Sequence, residues 1–440
     1  MDTIVALSTP WGRSAIGVLR LSGPAAREIA ARVCSDGPEW QARRASLRSV
    51  VQPTGQVIDD VLAVWMPGPN SYTGEDVVEL SGHGNPVLLE AVLDALVAAG
   101  ARPARPGEFT RRALENGRTN LLHAEALNAL ISARTLAGAQ DARAGMDGHL
   151  EDQVTHLREQ LLDLAAELEA RLDHPDDDLS RETDAEVCKK LAEIGRVSRE
   201  SAATWSASKV RQEGARVALI GPVNAGKSSL FNHLVGSERA LVSDRPGTTR
   251  DVVERGVLVE GMDITFLDTA GEGGTSDSLE QAGVALGQSM SEAADLRIVV
   301  LPLHRPADSW LDSLRSRGDH LVVGTFADQA PHQEGPTVDI RVNNLTGEGV
   351  ETLRTRVRQA VGLEPPKDQA VILLSQRQHD LYRAVAGHCE EAAFALTGAL
   401  GPAVAASEIV YAIERLAELA GIDVREAVLD RLFSRFCIGK

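Results

Sequence analysis

The 440-residue chain has little of what marks secreted, membrane-spanning or generally nucleic-acid-binding proteins. Its four cysteines, Cys34, Cys188, Cys389 and Cys437, are scattered and form no C-x-x-C pair, so neither a disulfide framework nor a zinc site is indicated. No apolar run approaches the roughly 18–20 residues of a membrane span. The start, "MDTIVALSTP", lacks the basic and long apolar stretches of a secretory signal. The expected setting is therefore cytoplasmic, with no membrane partner. Lysine and arginine number 45 against 63 aspartates and glutamates, a net charge of −18. That deficit argues against a general binder of phosphate backbones and confines any nucleic-acid contact to one face or to a partner. Internal repeats and low-complexity tracts are also missing.

What is present is an ordinary globular composition, 43% hydrophobic and 25% charged, at a length that favours two to three domains. Residues 1–117 mix strand-like runs ("IVALS", "IGVLRLSG", "VLAVWMPG", "DVVELSG") with helical ones ("PAAREIAARV", "PVLLEAVLDALVAAG"). Residues 118–213 turn helical. There Leu150, Val154, Leu157, Leu161, Leu164, Leu168 and Leu172 draw one stripe along a long helix, broken by "HPDDDLS". Another helix is expected over about 184–210. Residues 214–363 alternate strands and helices in the manner of a mostly parallel sheet. After "EPPKD" the chain is again helical, over 364–440. The expected fold class is α/β multidomain: an N-terminal α+β domain, then a helical domain interrupted by an inserted α/β domain.

The inserted domain opens with "GPVNAGKS" (221–228), which fits G-x-x-x-x-G-K-[ST] between a strand and a helix. Glycines let backbone N–H groups curl around phosphate oxygens, and the helix N-terminus adds positive potential. Lys227 should reach the β- and γ-phosphates, and the Ser228 hydroxyl should ligate Mg²⁺. In "LDTAG" (267–271), Asp268 is set to hold Mg²⁺ and the Gly271 N–H to sense the γ-phosphate. Between them, "RPGTTRD" (245–251) offers Thr249 to complete the Mg²⁺ shell. Three such motifs in register describe a switch GTPase binding GTP and GDP. The nucleotide set is Asn224, Ala225, Gly226, Lys227, Ser228 and Ser229, then Ser243, Asp244, Arg245, Pro246, Gly247, Thr248 and Thr249. It closes with Asp268, Thr269, Ala270 and Gly271.

"NAGKSSLFN", "GTTRDV", "DTAG" and the terminal "FCIGK" resemble the tRNA-modifying GTPase family MnmE, also called TrmE. The resemblance covers the full length, taking in "SYTGEDVVELSGHGNPVLLEAVL", "ARPARPGEFTRRALENGR" and "LDHPDDDL". It implies an N-terminal folate-binding and dimerising domain, a helical domain, and a GTPase domain inserted in it. It further implies an FAD-dependent partner of the MnmG type, tRNA bound with that partner, and homodimers assembling into heterotetramers. The joint reaction would place a carboxymethylaminomethyl-type group on the wobble uridine, with the one-carbon unit from 5-formyl- or methylene-tetrahydrofolate. Carried onto this chain, Arg20, Glu79, Arg118 and Lys440 match folate-pocket positions, and Glu280 matches the glutamate that positions the attacking water. Asn224 matches a K⁺ ligand, with backbone oxygens around Ser243, Arg245 and Thr248 completing the cage. Such a K⁺ would act where charge develops in phosphoryl transfer.

The chain departs from that pattern in the inserted domain. Where the guanine-reading N-K-x-D is expected, it reads "TFAD" (325–328), keeping Asp328 as acceptor for the guanine N1 and N2 donors. At roughly 1 kcal/mol or more per lost contact, affinity would fall tens- to hundreds-fold. "NNLTGEG" (343–349) lacks the usual serine–alanine, and Glu254 stands where arginine is frequent. "DTAGEGG" puts Glu272, a rival to Glu280, where an apolar residue is usual. Two other readings stay open: a regulatory GTPase without one-carbon chemistry, and a degenerate paralogue that binds partners but scarcely hydrolyses GTP. The tail cysteine has three. Prenylation fits poorly because Gly439 and Lys440 do not suit a Cys-a-a-X end, and a frayed tail conflicts with the helix-like spacing of Leu429, Leu432, Phe433 and Phe436. The resemblance favours a functional Cys437, either a nucleophile aided by a cation such as Lys440 or Arg435, or a residue that shapes the site.

Overall fold

The structure, a computed structural model, describes all residues but 1, 35–38, 53, 174–181, 223, 236–252, 260–261, 269–293, 305–319, 330–336, 362–370, 399, 423 and 440. Two compact units comprise residues 1–128, 154–162 and 413–440, and residues 129–153 and 163–412.

The first unit is built on six strands, β1 (Ile4–Leu7), β2 (Ile16–Ser22), β3 (Ser46–Val51), β4 (Val57–Met66), β5 (Val77–His83) and β6 (Arg102–Pro103), in the order β3-β4-β5-β2-β1-β6. Neighbours are antiparallel except β1 with β6. Alternation along β2 and β5 sends Leu19, Leu21, Val78 and Leu80 to one face. Helices Ala26–Val33 and Pro86–Ala98 cover that face, burying Ile29, Val33, Leu89, Val92 and Leu96 against it. The second helix starts where it does because Asn85 accepts the Val87 N–H and Pro86 takes the first position. On the other face Phe109, from helix Glu108–Glu115, packs with Ile4 and Ala6. Arg20 and Glu79, the odd residues in the alternation, therefore lie on the side away from the two covering helices.

The carboxyl end docks onto the same unit. At the end of helix Glu426–Phe433 and just beyond it, Phe433 and Phe436 are buried with Ala124. The Gly107 N–H donates to the Cys437 carbonyl (3.3 Å), and the Ser8 hydroxyl to the Gly439 carbonyl (3.2 Å). Gly439 has φ 96°, and a Cβ there would stand 2.4 Å from the Leu7 carbonyl oxygen, so only glycine fits.

The second unit joins helices to the inserted domain. Helix Asp184–Glu213 begins in a reciprocal cap: Thr183 Oγ1 accepts the Glu186 N–H, and Glu186 Oε2 accepts the Thr183 N–H. It packs along helix Gln376–Thr397, so the segments before and after the insertion lie side by side. Trp205 Nε1 donates to Gln376 (3.0 Å), and the Tyr382 hydroxyl to Gln153 (2.7 Å). Along helix His149–Asp173 the leucine stripe is buried from Leu150 to Leu168, whereas Leu172 is 43% exposed.

Strands β7 (Ala215–Ile220), β8 (Val253–Val259), β9 (Met262–Asp268), β10 (Leu296–Pro302), β11 (His320–Thr325) and β12 (Ile340–Arg341) form the second sheet, ordered β12-β11-β10-β7-β9-β8. All its pairs are parallel except β8 with β9. Helices Lys227–Val235 and Val350–Ala360 bury Leu230, Leu234, Leu353 and Val357 against Val217, Leu219, Ile298 and Val323. The fold class is thus α/β multidomain with a mostly parallel sheet in the insertion. Strand β12 is only two residues long, because it pairs with β11 at two positions alone. Among the described residues no helix is long and apolar enough to cross a membrane.

Candidate functional site

Strand β7 ends at Ile220 and the loop turns at Gly221, where a Cβ would meet the Val300 carbonyl at 2.3 Å. The turn is thus pressed against the neighbouring strand before Lys227 opens a helix at the carboxyl edge of the sheet. Lys227 is buried, and its ammonium donates to the carbonyls of Gly221 (2.8 Å) and Pro222 (3.0 Å), spanning the loop it belongs to. Asn224 (φ 62°), Ser228 and Ser229 are exposed, Ala225 is buried and Gly226 half-buried. Asp268 closes β9 in register with Leu219 of β7, so its backbone ends at the same sheet edge as the loop. Asp328 is exposed in the turn after β11. Ser243, Asp244, Arg245, Pro246, Gly247, Thr248, Thr249, Thr269, Ala270, Gly271, Glu272, Glu280 and Lys440 lie outside the described residues. Of Glu254 and Arg255 only the backbone, in β8, is described.

Two contacts that sequence reasoning missed hold this loop, and a third braces one of its holders. The Thr325 hydroxyl lies 2.6 Å from the Ala225 carbonyl, and Asn344 Nδ2 donates to the Gly226 carbonyl (3.1 Å). The His233 ring contacts the Asn344 carbonyl at 2.6 Å. Asn343, in the place of the usual serine, accepts the N–H groups of Leu345 (2.9 Å) and Thr346 (3.3 Å), shaping the turn that carries Asn344. Only the oddity of "TFAD" and "NNLTGEG" hinted at this in the sequence.

In the first unit, Arg20 and Glu79 face each other across β2 and β5. Arg20 Nε and Nη2 reach Glu79 Oε1 at 2.9 and 2.7 Å, and the pair is half-buried. The Arg20 guanidinium lies 5.6 Å from the Tyr72 ring centre and 5.9 Å from that of Phe109. Tyr72 is tied by its hydroxyl to buried Thr110 (2.8 Å). Arg20 Nη1 also points to the Gly439 carbonyl at 3.5 Å, so this pair and the docked tail share one corner. Arg118 is exposed, its stem packed near Gly74 in the Tyr72 loop. Helix Glu108–Glu115, which carries Phe109 and Thr110, is anchored through buried Arg112, paired with Glu75, Asp2 and Glu108. A cleft of about 580 Å³ lies nearby between Glu108, Arg111, Arg112, Phe433 and Ser434, but neither Arg20, Glu79 nor Cys437 lines it.

The four thiols divide by environment. Burial pushes Cys34 up to about 11 and Cys389 up to about 12, so both stay protonated at neutral pH. Cys188 is half-buried and also raised by burial, its thiol directed at the Ala393 carbonyl. Cys437 is exposed on the docked tail.

A glycine-turned loop at the edge of a parallel sheet, opening a helix with an inward lysine, defines a phosphate-loop nucleotide-binding domain, here inserted between packed helices in a chain that begins with an α+β domain. Sequence models of two families match: "GTP-binding protein TrmE N-terminus" over residues 3–118 and "MnmE helical domain" over residues 121–437. The chain belongs to the tRNA modification GTPase MnmE family. It is 39% identical over 448 residues to the Thermus thermophilus member, covering 100% of this chain and 99% of that one. It is 40% identical over 449 residues to the Myxococcus xanthus member, with the same coverage. Among solved structures, the G domain of the T. maritima FeoB iron transporter is similar over 33% of this chain and 98% of that chain, at 27% identity and a TM-score of 0.25.

Proposed function

We propose that this chain is a cytoplasmic, GTP-hydrolysing enzyme of tRNA modification. With a flavin-dependent, MnmG-type partner it would add a carboxymethylaminomethyl-type group at C5 of the wobble uridine, using 5-formyl- or methylene-tetrahydrofolate. Its relatives are named tRNA modification GTPases over the whole length of the chain. The observation that carries the folate half of the proposal is the tail docked at the Arg20–Glu79 pair through Gly439, with Cys437 exposed on that tail.

In the nucleotide half, loop N–H groups and Lys227 bind the β- and γ-phosphates, the lysine exchanging its loop carbonyls for phosphate oxygens. The Ser228 hydroxyl, Thr249 and Asp268 supply oxygen donors only, a set that suits a hard cation such as Mg²⁺. Asn224 and backbone oxygens of Ser243, Arg245 and Thr248 suit K⁺. When bound, these cations supply positive charge against the phosphates. Glu280, or Glu272, orients the water, while Thr269, Ala270 and Gly271 border the γ-phosphate. In the folate half, Arg20 binds an anionic or carbonyl group, Glu79 accepts from ring N–H groups, and Arg118 and Lys440 add charge at the rim. These four-domain-segment boundaries (1–117, 118–213, 214–363, 364–440) and a homodimer joined by its N-terminal domains belong to the same proposal.

GTP against ATP hydrolysis in K⁺ and Na⁺ buffers tests the nucleotide half: K⁺-stimulated GTP turnover, lost in Asn224→Ala, is expected. Absence of turnover with either nucleotide would favour the degenerate reading. Folate binding that disappears in Arg20→Ala excludes the purely regulatory one.

A further inference from the structure

The end of β11 and the turn after it lack the asparagine and lysine that usually hold a guanine base, yet their side chains are not idle. We propose that Thr325 and Phe326 rebuild the base wall of the nucleotide site: Thr325 ties the phosphate loop to the sheet, and the Phe326 ring is the face on which the purine stacks. The inference rests on the GTPase reading above.

Thr325 is fully buried at the end of β11. Its hydroxyl lies 2.6 Å from the Ala225 carbonyl and 3.2 Å from that of Leu301. One hydroxyl has one proton, so the shorter contact, to the loop, is the donated bond. A side-chain donor at the last strand position thus holds the loop from behind. Asn344 adds a second hold at the next carbonyl, Gly226.

Phe326 follows with φ 57°, a left-handed backbone that bulky residues rarely adopt. That turn lays the ring against the loop: its Cε2 is 3.4 Å from where a Cβ on Gly226 would stand. His304 meets the ring edge-on, with centres 4.9 Å apart and planes at 88°. The ring is braced by that contact and by the loop, yet remains only half-buried. It sits directly before Ala327 and Asp328, the carboxylate expected to read guanine. A phenyl face stacks on any purine regardless of its edge. Stacking then supplies affinity, while Asp328 supplies the choice of base.

The test uses titration calorimetry on the full-length protein with GDP, IDP (whose base lacks the 2-amino group) and inorganic tripolyphosphate. Phe326→Ala should weaken GDP and IDP by the same factor, about 5- to 150-fold, and leave tripolyphosphate unchanged. Thr325→Val should weaken all three, because it loosens the loop. Phe326→Trp should keep GDP affinity within a few-fold, and its emission should change on GDP addition, which a merely structural ring would not produce. GDP affinity unchanged in Phe326→Ala, or emission of Phe326→Trp indifferent to GDP, overturns the proposal. If Phe326→Ala fails to fold, the Phe326→Trp emission decides alone. Wild-type protein that binds no guanine nucleotide would instead sink the GTPase reading.

Discussion

In the N-terminal domain the Arg20–Glu79 pair sits on strand register; in the inserted domain Lys227 sits where a loop opens into a helix. Arg20 and Glu79 are opposed across β2 and β5, flanked by Tyr72 and Phe109, and met by a tail pinned at Gly107 and Ser8. Lys227 instead reaches two carbonyls of its own loop, and that loop is held from outside by Thr325 and Asn344. A site on paired strands is organised before its ligand arrives. A site on a loop depends on side chains elsewhere to hold the backbone, and its lysine must change partners when phosphate binds. Substitutions should therefore act locally in the first site and through the loop in the second.

The largest separation is expected from Lys227→Ala. Loss of a charged donor to the phosphates should lower GTP turnover by about 10²–10³-fold, while folate binding, measured by equilibrium dialysis, stays at the wild-type level. Loss of folate binding as well would merge the two sites. A smaller, opposite effect is expected from Gly439→Ala. A backbone strained at φ 96° and a Cβ against the Leu7 carbonyl should displace the tail and weaken folate binding by about tenfold, with GTP turnover unaffected.

Thiol chemistry sharpens the comparison further. With limiting iodoacetamide near neutral pH, Cys437 should be alkylated first and buried Cys34 and Cys389 last, as read by peptide mass mapping. Preferential labelling of Cys389 would mean that the packed helices open readily.

The smallest effect concerns His83, at the end of β5. Its Nδ1 lies 2.7 Å from Asp59, whose hydrogen bond raises the ring above its ordinary value. A raised folded value means the pair's stabilisation is full below the unfolded histidine pKa and fades as pH rises through the folded one. Asp59→Asn should move the His83 NMR titration midpoint downward; an unmoved midpoint would remove Asp59 as the cause.

Much of this was legible in the sequence where one short stretch carries both conformation and chemistry. "GPVNAGKS" announced strand, loop and helix at once, and the leucine spacing drew the long helix through Leu172, although its buried stripe ends at Leu168. Other parts depend on tertiary contacts that no local pattern records. Strand β6 is two residues long and exists by pairing with β1. Helix Glu108–Glu115 offers few apolar letters, yet brings Phe109 and Thr110 to Arg20 and Tyr72. "TFAD" reads as a loss, but Thr325 bonds the phosphate loop from a position where the sequence shows only a missing asparagine. The docking of the tail was foreshadowed by the spacing of Phe433 and Phe436, both buried; the glycine contact that seats it was not.

We propose that Cys437 serves tRNA modification, as a nucleophile or by shaping the N-terminal site, and takes no part in GTP hydrolysis. Cys437→Ser, assayed with the flavin-dependent partner and tRNA, tests it most directly. GTP turnover within about twofold of wild type, well under 1 kcal/mol, together with abolished modification of the wobble uridine, is the predicted result. Full modification by Cys437→Ser would return the cysteine to a packing role.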